Sequence, residues 1–210
     1  MRRSAEIFTK RGILKMKKII ALLMAALVVL SFAACGKKPE DESKAPEMKS
    51  ATPAEIEAAI ANALGDGYLA TETVSEEEIF NCALGYLDME KVKSYVAKVA
   101  LITAIDHDTV VVAECEEGYA DEAVSLFNEN FANTLSYIRL YPFGVAKAEG
   151  ARIYKVGNTV MYIIAGANSE EEISAEEEAK LAASEYEKID NALKELFGAL
   201  PENLAVIPKQ

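Results

Sequence analysis

The sequence predicts an α+β domain, an antiparallel β-sheet with helices packed on it, and three observations carry that prediction. Two β-branched runs, "SYVAKVALIT" and "DTVVVAEC", flank a short polar connection, "AIDHD", as the arms of a hairpin do. A second pair, "ARIYKV" and "TVMYIIAG", is joined by Gly157-Asn158, which suits a two-residue type II′ turn with glycine first. Around these runs lie stretches whose apolar residues recur at helical spacing. The 210 residues are 51% apolar, enough for one core with extensions.

The elements follow in order. "TPAE" puts Thr52 at an N-cap, Pro53 at the first helical position and Glu55 where a capping box needs it. Ile56, Ala59, Ile60, Ala63 and Leu64 then form one stripe, and Gly65 is the expected stop. A second capping box, Ser75 to Glu78, predicts another helix with apolar positions Ile79, Phe80, Ala83, Leu84 and Leu87, before a turn capped by Asp88. After the first hairpin comes a helix from about Tyr119 to Tyr137, striped by Ala120, Ala123, Val124, Phe127, Phe131 and Leu135 and closed off by Pro142.

Pairing Val156 with Thr159 in the last hairpin turns Ala151, Ile153, Val160, Tyr162 and Ile164 to the core. The opposite face, with Arg152, Tyr154, Thr159 and Met161, is mixed and is expected to offer an interaction surface. Beyond Gly166 an acidic helix follows, with acids at its positive end. Its seam of Ala175, Ala179, Ala182, Tyr186, Ile189, Leu193 and Leu196 has heptad spacing. Such a seam either docks on the parent domain or is offered to a protein partner or second copy; Gly198 and Pro201 end it. These signals delimit a globular domain over 52–166 and an acidic C-terminal helix and tail over 167–210.

The amino-terminal part reads differently. Lys17 and Lys18 precede twelve strongly apolar residues, Ile19 to Leu30, which cover about 18 Å of a roughly 30 Å hydrocarbon core. That is signal-peptide length, not a span. "FAACGKK" closes the run with small residues and a cysteine. This resembles the lipobox of bacterial lipoproteins, with Phe32 standing where leucine is usual. The resemblance implies cleavage between Ala34 and Cys35 and attachment of fatty acyl chains, palmitate among them, to Cys35. Two chains on one residue make membrane residence stable, at about 0.8 kcal/mol per buried methylene. Residues 1–34 are thus the expected signal peptide, with Met16 as the expected true start. Residues 35–51, "CGKKPEDESKAPEMKSA", form a lipidated cysteine and a charged, proline-bearing tether without apolar periodicity.

Charge narrows the function. The chain holds 22 Lys/Arg and 34 Asp/Glu; seven of the former and one of the latter fall in residues 1–34, so the remainder carries 15 against 33, a formal −18. Such a body repels phosphate backbones, and nucleic acid is excluded as a partner. Its membrane contact is expected to run through the lipid alone.

Catalytic and metal-binding signals are sparse. His107, between Asp106 and Asp108, is the sole histidine and reads as a turn residue, because one imidazole in a loop supplies neither closed coordination nor a positioned nucleophile. No nucleophile elbow, zinc spacing, phosphate-cradling loop or dinucleotide fingerprint occurs in the chain. No catalytic residue, cofactor or metal is therefore expected. Cys82 and Cys115 read as buried free thiols rather than a disulfide. The acids at 114–122 and 170–178 lack the spacing of a calcium loop and read as solvated helix starts. Tyr137, Tyr141 and Phe143 are expected to close a core rather than form a platform for sugar or peptide.

The lipobox, "YVAKVALITAIDHDTVVVAE", the helix after it and "YPFGVAKAEGARIYKVGNTVMYII" together resemble a family of small lipoproteins of Gram-positive anaerobes that share a domain of unknown function. The resemblance spans residues 16 to about 165 and brings no active-site residues with it. The expectation is a lipid-anchored, extracytoplasmic binding or interaction module on the outer face of the cell membrane, not an enzyme. The alternatives are a sensor or inhibitor of an envelope enzyme and a carboxylate-based hydrolase.

Overall fold

The computed structural model describes residues 48–102, 106–141, 143–169 and 171–209. The signal segment, Ala34, Cys35, most of the tether and Pro142 lie outside them.

Helix α1 spans Pro53–Leu64, and both halves of its capping box form: Thr52 Oγ1 accepts the Glu55 N–H while Glu55 accepts from the Thr52 backbone. It ends at Gly65, whose φ of 56° lies in the region that disfavours side chains. Strand β1, Glu72–Thr73, leads into three 3-10 turns, Glu76–Asn81, Ala83–Tyr86 and Met89–Lys91. Strands β2 (Val92–Val99) and β3 (Thr109–Cys115) form the first hairpin, followed by helix α2 (Ala120–Ile138) and the short helix α3 (Val145–Glu149). Strands β4 (Arg152–Val156) and β5 (Thr159–Ile164) form the second hairpin, and helix α4 (Ala175–Phe197) closes the elements. The Val156–Thr159 register is the expected one. Gly157 alone of the two turn residues has positive φ, as a II′ turn requires.

The five strands form one antiparallel sheet in the order β1-β2-β3-β5-β4. Helices cover both of its faces, so β5 is buried along its whole length. On one face Phe127, Phe131 and Leu135 of α2 pack with Leu84 against Val111, Ile153 and Tyr162. On the other, Ile56 and Ile60 of α1 and Ile189, Leu193 and Phe197 of α4 pack against Val112, Tyr154 and Met161. Each such fully buried side chain contributes roughly 1.5–3 kcal/mol. The tail then straps the β4 edge, where Leu204 N–H donates to the Ile153 carbonyl at 2.7 Å and Asn203 Oδ1 accepts the Ile153 N–H at 3.0 Å. The described residues, acidic helix included, belong to one compact unit.

Two expectations are corrected here. The helix expected after Ser75 is a chain of 3-10 turns. Ser75 Oγ bonds the Glu78 carboxylate at 2.7 Å and caps no N–H, and Cys82 is extended (φ −126°, ψ 178°). The chain doubles back at Gly85, where a Cβ would stand 2.5 Å from Phe80 Cα. That fold buries Ala83, Leu84 and Leu87 while leaving Phe80 in solvent, a selection no single helical stripe makes.

The second correction concerns the open surface. Tyr154, Met161, Tyr186, Ile189 and Leu193 are buried, and Arg152 and Leu196 are half-buried. The hairpin face and the helix seam cover each other, with α1 beside them, because neither apolar surface gains anything by facing water while the other lies within reach. Ala175 and Ala179, at the helix start, remain exposed.

Candidate binding pocket

Between the 72–83 segment, residues 99–101 and 106–109 of the first hairpin and the flank of α2 opens a pocket of about 560 Å³. Its volume falls within the usual range for small-molecule sites. Asn130 and Thr134, one helical turn apart on α2, line one wall, Asn81 and Cys82 another, and His107 a third; Tyr162 reaches it from β5.

Tyr162 is the unusual member. Its side chain is 1% exposed, its ring packs on Phe127 at 5.7 Å and Phe131 at 6.3 Å, and its hydroxyl is buried with no hydrogen-bond partner among the described residues. Thr134 lies beside it without a bond of acceptable geometry. Burial pushes the phenol above its ordinary range, so the hydroxyl is a neutral O–H at pH 7, able to donate and accept. Cys82 donates its thiol to the Ile79 carbonyl at 3.2 Å, and burial raises its pKa. It is a protonated structural thiol, not a nucleophile.

The 106–108 segment separates this pocket from a second cleft of about 770 Å³, lined by Phe143, Lys147, Asn168, Glu178 and Leu181. The floor between them is held by a buried ion pair, Asp108 with Lys147. Asp108 also accepts the Gly166 N–H at 3.0 Å, and Lys147 Nζ donates to the Gly166 carbonyl at 3.2 Å. The Tyr186 hydroxyl donates to the Lys147 carbonyl at 2.8 Å. Burial pushes the Asp108 carboxyl up to about 6, against the opposing pull of Lys147 and the Gly166 N–H. Fully enclosed, this carboxylate reaches no substrate; it ties β3, α3, α4 and the end of β5 together.

His107 is half-buried and meets Tyr137 edge to face at 6.3 Å. Tyr137, Tyr141 and Phe143 are exposed, as is Leu140, so they close no core; Tyr137 meets Tyr141 at 5.3 Å, and Phe143 lines the second cleft. Cys82 and Cys115 are both free thiols. Among the described residues no cluster of histidine, cysteine or acids is arranged to hold a metal ion. The expected interaction residues form an interface within the chain instead. Arg152 forks onto Asp190 (3.1 and 2.9 Å) and lies over the Tyr186 ring at 4.5 Å, while Tyr154 donates to Asp190 at 2.6 Å.

Sequence reasoning placed Tyr162 on the core face and left Asn81, Asn130 and Thr134 unassigned. The one available signal was a tyrosine among aliphatic residues on a buried strand face, since a buried hydroxyl needs a partner. The fold and pocket define a class: an antiparallel sheet between two helical layers, with a polar pocket at one end. No protein-family model, curated protein or solved structure matches the chain. Among the described residues, no helix is long and apolar enough to cross a membrane.

Proposed function

We propose that this protein is an exported lipoprotein, tethered through Cys35 to the outer face of the cell membrane, whose domain binds a small ligand in the Tyr162 pocket. The Ala34-Cys35 lipobox pattern supports the anchoring. One observation carries the binding: a residue that lines an open polar pocket, Tyr162, has a buried hydroxyl with no hydrogen-bond partner among the described residues. Leaving such a group unsatisfied costs roughly 1–3 kcal/mol, a cost that a bound ligand removes. A second reading, an inhibitor or sensor docking on an envelope enzyme, draws on the exposed side chains of Tyr137, Leu140, Tyr141 and Phe143.

Fractionating cells that express the full chain tests the anchor. The wild type is expected in the membrane pellet and Cys35→Ala in the soluble fraction; a variant that stays with the membrane overturns the anchoring. A fragment screen on the full-length Cys35→Ala chain, read by NMR, tests the pocket. Shifts at Asn130, Thr134 and Tyr162 support binding there, and shifts confined to Tyr137, Leu140, Tyr141 and Phe143 support the docking reading.

A further inference from the structure

Resting on that reading of the pocket, we propose that its ligand is a small hydrophilic organic cation, an amine that also carries hydroxyl or amide groups. The charges around the pocket are one-sided. Glu72, Glu78 and Asp106 line it, and no lysine or arginine does. Asp106 is engaged by Asn168 and pairs with Lys147 Nζ at 4.0 Å, which leaves Glu72 and Glu78. Among the described residues, the side-chain hydrogen bonds of Glu72 and Glu78 are to neighbouring hydroxyls alone, Thr71 at 3.5 Å and Ser75 at 2.7 Å. Among the described residues neither has a basic partner, and the nearby Lys98 is held on Thr73 Oγ1 at 2.7 Å. Two uncompensated carboxylates beside a concave surface attract a cation and repel an anion, and the low dielectric of the walls strengthens both effects.

Charge alone selects no ligand; the interior supplies the second criterion. The Tyr162 hydroxyl has no partner among the described residues, and half-buried Asn130 makes no side-chain hydrogen bond among them, although it lines the pocket. An aliphatic cation leaves these groups unsatisfied. A hydroxylated or amide-bearing amine satisfies them at one end while its ammonium sits by Glu72 and Glu78 at the other. The volume of about 560 Å³ holds a molecule the size of a single sugar ring.

Three probes of one skeleton separate these requirements: glucosamine, glucose and glucuronate, titrated by NMR into the full-length Cys35→Ala chain at pH 6, where the amine is protonated. Glucosamine is expected to shift Asn130, Thr134 and Tyr162 at least tenfold more tightly than glucose, with glucuronate inert. Glu72→Gln/Glu78→Gln, on exposed positions, is expected to erase the preference for the amine. Tyr162→Phe is expected to weaken binding about tenfold while the melting temperature holds or rises, since it removes an unsatisfied buried group. Glucose or glucuronate binding as tightly as glucosamine overturns the cation assignment and leaves the pocket reading intact. If no probe moves the pocket resonances, both readings fall.

Discussion

Lys147 is 5% exposed and Asp108 fully enclosed, so each is the other's main compensation for leaving water. Breaking a buried pair by removing one partner strands a charge, and Lys147→Met is expected to cost about 3–5 kcal/mol in urea unfolding. Replacing both, as Asp108→Asn/Lys147→Met, removes the charge and is expected to recover at least about 1 kcal/mol of that loss. A double variant no more stable than the single one would show that the pair acts through packing instead. The carboxyl also sets a pH dependence. Its native pKa, about 6, lies above the ordinary 3.8, so between those values the native state holds the proton and the unfolded chain does not. Its contribution to stability therefore falls as pH rises from about 4 to about 6, by up to roughly 3 kcal/mol. Subtracting the double variant's stability-against-pH curve from the wild type's isolates that slope, and a rising difference would contradict it.

At the scale of elements, capping chemistry and packing have different authority. Thr52 and Ser174 both complete capping boxes, and both open helices whose apolar stripes have a sheet face to cover. Ser75 carries the same sequence signature, and its segment turns into 3-10 structure because core contact there is made at Ala83, Leu84 and Leu87 around Gly85. A cap nucleates only what tertiary contacts will keep. The second hairpin and α2 were legible because alternation and helical spacing each matched a single core face. Helix α4 was legible as a helix but not in its partner, since a seam does not name what covers it. Leu193 now lies between α4 and the sheet, and Leu193→Ala is expected to cost about 2–5 kcal/mol, measured by chemical denaturation. A loss below about 1 kcal/mol would mean that the helix is held by its polar contacts, Arg152 with Asp190 above all.

Over the whole molecule, the formal charge of −12 and the two helical layers work on different questions. Charge sets which partners are repelled, and burial sets which surfaces remain to meet any partner at all. The order of residues already specifies the α+β class, the register of the second hairpin, the stripe of α2 and the capped start of α1. These are properties of local spacing, in which the period of the apolar residues selects the element. Which faces pair is settled by packing across the fold. It brought the hairpin face and the α4 seam together inside the chain, exposed Tyr137, Tyr141 and Phe143, and left the Tyr162 hydroxyl without a partner. Those outcomes depend on contacts between residues far apart in the chain, such as Tyr154 with Asp190 and Asp108 with Gly166, and local spacing carries no information about them.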